Sequence, residues 1–348
     1  MGSLGRRAAL GVVVVIALLA AIWVVRGGPD AEPLPGQPLR ALAKAKGLEI
    51  GTAVRGDQVK RNRAYRQTIA AQFSTVTPEN EMKWEAVQPE EGEFEFGPAD
   101  DIVEHAREAK QKIRGHTLVW HFQLPGWVRE LGPRDLEAAM REHIAEVVGH
   151  LEEDVGVWDV VNEPISDRGG LRPSVFMRRL GQRYIALAFR LAHQADPDAK
   201  LYLNEIGADG INAKSNRLYE VVSALKRDGV PIDGVGFQFH ANLDGLPADY
   251  LANLQRFAAL GLDIAITEAD VGVPLPPDAQ KLERQAQIYD QIVRACLTVS
   301  CKSLTFWGFT DSRSWISETQ PGMGAATLLT DKLQPKPAFG AVQRALGG

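Results

Sequence analysis

From Leu48 onward, short uninterrupted apolar runs alternate with longer stretches in which apolar residues recur every three or four positions. The short runs predict strands at Leu48–Ala53, Phe73–Thr77, Ile113–Trp120, Val155–Asn162, Lys200–Glu205, Gly234–His240, Asp263–Asp270 and Ser303–Phe309. A strand that is mostly Val, Ile or Ala and turns polar only at its end is covered on both faces and exposes its last residues at a sheet edge. The longer stretches predict amphipathic helices. In Arg134–Leu151, residues Leu136, Met140, Ile144, Val147, Val148 and Leu151 fall on one face, and Leu282–Cys296 places Ile288, Ile292 and Val293 together. Pro98, Pro133 and Pro277 precede helical runs, as first-turn prolines do. Strand followed by helix, repeated around a single sheet, predicts an α/β protein of the (β/α)8 barrel class, with one domain over residues 41–348. A doubly wound open sheet is the competing arrangement. It is weakened by the lack of a Gly-x-Gly-x-x-Gly turn and by reactive residues at nearly every strand end.

The first forty residues follow a different pattern. Arg6-Arg7 precede an uncharged apolar stretch from Ala8 to Val25, and Arg26-Gly27-Gly28-Pro29 follow it. Such a run is long enough to cross a bilayer and long for a secretory leader. Residues 1–28 are therefore expected to form a signal-anchor, with a cleaved signal peptide as the alternative, and residues 29–40 a Gly- and Pro-rich tether. Arg6-Arg7 on the retained side predict an exported barrel, held at the membrane or secreted if the segment is cleaved.

Charge narrows the partners. The net charge is -5 with both signs dispersed, and no basic run exceeds Lys60-Arg61-Asn62-Arg63, so there is no electrostatic footprint for nucleic acid. The only two cysteines, Cys296 and Cys301, lie where a helical pattern gives way to the last strand. In an oxidising compartment they are expected to form a disulfide stapling that junction; two buried free thiols are the alternative. No metal or cofactor is expected, because no His-Glu-x-x-His or clustered Cys/His spacing is present and His116 and His121 are expected on opposite faces of a strand.

The strand ends carry the chemistry. In order they offer Glu79-Asn80-Glu81-Met82-Lys83-Trp84, His116 to Gln123, Asn162-Glu163, Asn204-Glu205, Gln238-Phe239-His240, Thr267-Glu268-Ala269-Asp270 and Trp307 to Trp315. Glu163 directly follows the run Val155–Asn162, and Glu268 stands near the end of Asp263–Asp270. Paired carboxylates at a barrel mouth suit glycoside cleavage, in which one protonates the leaving oxygen and the other attacks or activates water at the anomeric carbon. Gln238 and His240 are two apart, so strand alternation predicts that they share a side and that Phe239 points away from it.

Several ordered motifs, Arg114-Gly115-His116-Thr117-Leu118-Val119-Trp120-His121, Trp158-Asp159-Val160-Val161-Asn162-Glu163 and Lys336-Pro337-Ala338-Phe339 among them, resemble glycoside hydrolase family 10, the endo-1,4-β-xylanase family. The resemblance runs from about Ala41 to Phe339. It implies a retaining hydrolase of xylan-type β-1,4-linked polysaccharide or oligosaccharide, with Glu163 as acid/base and Glu268 as nucleophile. It also implies that His240 sits between Glu268 and Asp270, that Asn162 bonds the sugar 2-hydroxyl, and that Gln238 touches the sugar. Glu79, Asn80 and Lys83, joined by His116, Trp120 and Gln123, look like the glycone-binding group, and Trp84, Trp307 and Trp315 like apolar walls for pyranose faces.

The pattern departs at Asn204-Glu205-Ile206-Gly207, where the family commonly has Asn, an acid and Tyr; the lost aromatic bears on the leaving-group side of the cleft. Arg313 is expected either to narrow the glycone side, to favour an acidic decoration such as glucuronic acid, or to be solvated. A β-1,4-glucan or aryl-glycoside hydrolase is a second enzymatic reading, and a non-catalytic sugar-binding module a third, against which the presence of both Glu163 and Glu268 argues.

Overall fold

A computed structural model describes residues 30–347. The strands are β1 (Glu49–Val54), β2 (Thr75–Pro78), β3 (Lys112–Trp120), β4 (Val155–Asn162), β5 (Lys200–Glu205), β6 (Gly234–Phe237), β7 (His240–Asn242), β8 (Asp263–Pro274), β9 (Ser303–Phe306) and β10 (Met323–Gly324). Strands β1 to β6, β8 and β9 pair in parallel with their neighbours, and β1 and β8 both pair with β9, which closes the barrel. The outer layer comprises α1 (Arg63–Gln72), α2 (Gly97–Glu108), α3 (Pro133–Leu151), α4 (Arg183–Ala195), α5 (Ala213–Arg227), α6 (Tyr250–Ala258), α7 (Ala279–Thr298) and α8 (Pro337–Gly347), one after each barrel strand.

The helical periodicity reads directly onto burial. Leu136, Met140, Ile144, Val147, Val148 and Leu151 of α3 are buried, as are Ile288, Ile292 and Val293 of α7. Pro98 and Pro133 stand in the first turns of α2 and α3, where a missing N–H leaves no helical bond unmade.

Three strands differ from expectation. The run predicted as Gly234–His240 is broken: β6 stops at Phe237, Phe239 adopts a φ of 63°, and pairing resumes as β7 against the far part of β8. That left-handed residue replaces simple alternation, yet Phe239 still turns outward onto Tyr250, ring centroids 5.1 Å apart. Strand β8 continues past Asp270 to Pro274, and β9 ends at Phe306, short of Phe309.

Two further expectations are corrected. Cys296 and Cys301 are free buried thiols, not a disulfide. The Cys301 N–H donates to the Cys296 carbonyl at 2.9 Å, and the Cys296 thiol points to the Ser303 carbonyl at 3.9 Å, so backbone bonds already hold the turn. The described part of the expected tether lies along the barrel: Asp30 pairs with Arg63 at 2.8 Å, and Gln343 donates to the Pro35 and Gln37 carbonyls at 2.8 and 2.9 Å. Among the described residues no helix is long and apolar enough to cross a membrane. The apolar run from Ala8 to Val25 lies outside them.

Candidate active site

The carboxyl ends of the barrel strands surround a cleft of about 480 Å³. Glu79, Asn80, Lys83, His116, Trp120, Gln123, Asn162, Glu163, Gln238, His240, Glu268, Trp307 and Trp315 all line it. Asp270 stands behind the wall, fully buried. Trp84 is a correction: it packs in the core, stacked on His143 with centroids 3.9 Å apart and planes 6° from parallel. Arg313 is exposed and outside the lining.

Glu163 follows the last residue of β4. Its N–H extends the ladder to the Asn204 carbonyl at 2.9 Å, while its own carbonyl accepts from Arg172 Nε at 2.9 Å. Its φ is 54°, a left-handed conformation that costs a non-glycine residue about 1–3 kcal/mol and persists only where surroundings impose it. These two hydrogen bonds impose it here and aim the carboxyl into the cleft. Glu268, by contrast, sits inside β8, its N–H bonded to the Gln238 carbonyl at 3.0 Å.

One polar lattice joins the two glutamates. Gln238 Nε2 donates to Glu163 Oε1 at 3.1 Å and to Asn162 Oδ1 at 3.2 Å. Asn204 Nδ2 donates to the same Asn162 oxygen at 3.0 Å and to Glu268 Oε1 at 2.7 Å, while Thr267 fixes its carbonyl at 2.7 Å. Gly236 makes room for this: a Cβ there would lie 2.3 Å from Asn204 Oδ1.

Behind Glu268, His240 Nε2 lies 3.2 Å from Glu268 Oε2 and Nδ1 3.0 Å from Asp270 Oδ1. Burial disfavours a charged imidazole, but the charge and hydrogen bond of Asp270, followed by those of Glu268, push His240 up to about 10. Burial likewise disfavours a charged Glu268, and the hydrogen bond from His240 with the attraction of His116 and His240 holds its carboxyl below the usual range. The outcome is an imidazolium beside the Glu268 carboxylate, with Asp270 on its far side. Trp315 Nε1 donates to Asp270 Oδ2 at 2.6 Å, locking the far end.

On the opposite wall Lys83 Nζ donates to Gln123 Oε1 at 2.7 Å and Asn80 Oδ1 at 3.2 Å and lies 4.8 Å over the Trp120 ring. Its burial lowers its pKa, with Glu268, Glu79 and Glu163 opposing. Burial pushes Glu79 up to about 7 against the pull of Arg55 and Lys83. His116 is oriented by Asp159, Nδ1 to Oδ2 at 3.0 Å, and Asp159 also holds Arg114 beneath the cleft. This wall is dense in donors fixed by neighbours, suited to sugar hydroxyls, with Trp307, its ring 5.2 Å from that of His116, and Trp315 as apolar surfaces.

Residues missed by sequence reasoning are Arg55, Glu318 and Thr319 at the rim; Phe122, Asn204 and His121 were among the strand-end residues but were given no role, and the structure puts Phe122 and His121 in the lining and Asn204 in the lattice. Strand β3 ends at Trp120, so the alternation that was expected to turn His121 away no longer applies. Its Nδ1 lies 4.0 Å from Glu163 Oε2. Burial, then the charges of Arg172, Lys214 and Arg129, push His121 down to about 4. Ile206 occupies the cleft edge where the sequence pattern lacks an aromatic. Among the described residues no group of three or more His, Cys, Asp or Glu could hold a metal ion.

A parallel barrel with two glutamates at its strand ends, one held as a carboxylate and the other exposed to a sugar-sized cleft, defines a barrel glycosidase. The chain belongs to glycosyl hydrolase family 10, whose profile matches residues 38–345. It is 40% identical over 313 residues to endo-1,4-beta-xylanase B of Thermotoga neapolitana, covering 88% of this chain and 90% of that one. The structure superposes on xylanase 10B of Thermotoga petrophila in complex with xylobiose with a TM-score of 0.87 and 41% identity, covering 90% and 98% of the two chains. It also matches a xylotriose complex of an intracellular xylanase of Thermoanaerobacterium saccharolyticum, with a TM-score of 0.84 and 33% identity over 88% of this chain and 98% of that one.

Proposed function

We propose that this glycoside hydrolase is a retaining endo-1,4-β-xylanase acting on internal bonds of xylan or xylo-oligosaccharides. The observation that carries the reading is the continuous lattice from Glu163 through Gln238, Asn162 and Asn204 to Glu268, backed by the His240 cation. Glu163 protonates the leaving oxygen and Glu268 attacks the anomeric carbon. Water then displaces Glu268 with Glu163 acting as base. Asn162 faces the 2-hydroxyl of the sugar being transferred, where a hydrogen bond strengthens as positive charge develops. The xylan-type substrate is supported by the names of the relatives and by the xylobiose and xylotriose in two related structures.

Incubating the purified protein with xylan, mixed-linkage β-glucan and cellulose tests this. The expected outcome is rapid shortening of xylan with little release from the other two. Faster cleavage of β-glucan would favour the glucan-acting alternative, and binding without product would favour a sugar-binding module.

We also propose that residues 1–28 place the barrel outside the cytoplasm, tethered to the membrane or secreted after cleavage. The support is the apolar run Ala8–Val25 with Arg6-Arg7 before it and Arg26 after it.

A further inference from the structure

Beside the cleft lies a second and larger cavity, about 700 Å³, between the segment after β3 and the loop after β4. Its wall includes Arg129, Arg168, Arg172 and Arg178 with a single acid, Asp167, on a chain whose net charge is -5. His121 lines both this cavity and the cleft, so the two adjoin on the side of Glu163.

The arginine charges outnumber the one acid beside them, and three of the four are positioned mainly by backbone carbonyls. Arg129 donates to the Leu124 carbonyl at 3.2 and 3.3 Å, Arg178 to the Pro173 carbonyl, and Arg172 to the Glu163 and Ile165 carbonyls at 2.9 and 3.0 Å. Those acceptors are neutral backbone oxygens. Arg168 has no hydrogen-bond or ion-pair partner among the described residues. Asp167 lies 2.9 Å from Lys214 and only 3.9 Å from Arg172, so its charge is already matched from outside the arginine set. Each guanidinium keeps N–H donors to spare, in the planar geometry that suits a carboxylate. The depressed pKa of His121, to which Arg172 and Arg129 contribute after burial, reflects the same positive field.

We infer that this cavity is a binding site for the carboxylate of a uronic-acid branch carried by the xylan chain in the cleft. The inference rests on the xylanase reading above and goes beyond it, since none of the residues that act on the backbone sugar is an arginine of this set. A carboxylate-bearing branch is chosen because the cavity adjoins the cleft, the two sharing His121 as a wall: a group covalently attached to the bound chain is held beside the arginines.

The test compares kcat/KM of the full chain on three substrates: xylan branched with glucuronic acid, the same polymer after its carboxyl groups are reduced to hydroxymethyl groups, and unbranched xylohexaose. Wild type is expected to favour the acidic polymer over its reduced form by about two- to five-fold for each arginine engaged, the range of an exposed ion pair. The Arg168→Gln/Arg178→Gln variant should lower that ratio by the share of those two arginines while its rate on xylohexaose stays at the wild-type value. Added salt should shrink the wild-type ratio in the same direction. A wild-type ratio of one, or a ratio that the double substitution leaves unchanged, overturns the inference while leaving the xylanase reading intact. Failure to cleave xylohexaose overturns both.

Discussion

Glu268 is buried, and burial by itself raises a carboxyl's pKa, so its ionised form depends on His240 and the charges around it. Replacing His240 with Asn removes the cation and leaves the burial. The pKa of Glu268 then rises, and the acid limb of the kcat/KM profile should move up by about one pH unit or more, with activity falling further at pH 5 than at pH 8. An unchanged profile would mean that His240 only fills space. The same pair fixes a stability window. His240 is raised to about 10 from 6.5, so its contribution is complete below 6.5 and is lost as pH rises through about 10. Glu268 is lowered from 4.5, so its contribution is present above that value and is lost as pH falls. At Glu163 the expectation differs. Glu163→Ala should slow substrates with poor leaving groups by roughly 10²- to 10⁴-fold and activated aryl glycosides much less in the glycosylation step, because a good leaving group departs without a proton. Equal losses in single-turnover measurements on both would remove Glu163 from the acid role.

At the scale of strands, β5, β6 and β8 form the platform that aims Asn204 at Glu268. Asn204 pairs in register with Gly236, and a methyl there would meet both Asn204 Oδ1 at 2.3 Å and Thr267 Cγ2 at 2.8 Å. Gly236→Ala is therefore expected to displace the amide and lower kcat on xylan by about 10- to 100-fold, the effect of losing a hydrogen bond to a charged group. Circular dichroism should show the barrel retained; full activity would show that Asn204 does not orient Glu268. The strand ends were legible in the sequence because a parallel strand buried on both faces changes abruptly from apolar to polar where it emerges. Residues past those ends were not. His121 follows the last residue of β3, so the period-two rule that placed its neighbours has no hold on it, whereas Phe239 points outward as alternation predicted even though its left-handed backbone interrupts β6 and β7. Trp84 failed for a different reason: it follows Lys83 at the start of a short helix that turns it inward onto His143, and an indole's size suits a core and a sugar platform equally.

For the molecule as a whole, repeated strand and helix signals gave the barrel. The cysteine pair shows the limit of spacing alone, since two thiols five residues apart are compatible with a bridge or with the free, backbone-held turn found here. The arginine-lined cavity was invisible for a similar reason: Arg129 comes from the segment after β3 and Arg168, Arg172 and Arg178 from that after β4, and only the closed sheet brings them together. Residues 1–28 were read from sequence only. Cells making the full chain should yield activity in the membrane fraction, released as an active fragment by protease applied from outside. Soluble activity already lacking those residues would instead identify a cleaved signal peptide. The central claim is that Glu268 attacks the sugar and Glu163 serves the leaving group, and the most direct test uses Glu268→Ala with an activated aryl xylobioside and added azide. The account predicts loss of turnover by several orders of magnitude, recovery with azide, and an α-linked glycosyl azide as product, because azide enters from the vacated nucleophile's face. A β-linked glycosyl azide would place Glu268 on the leaving-group side and contradict the account.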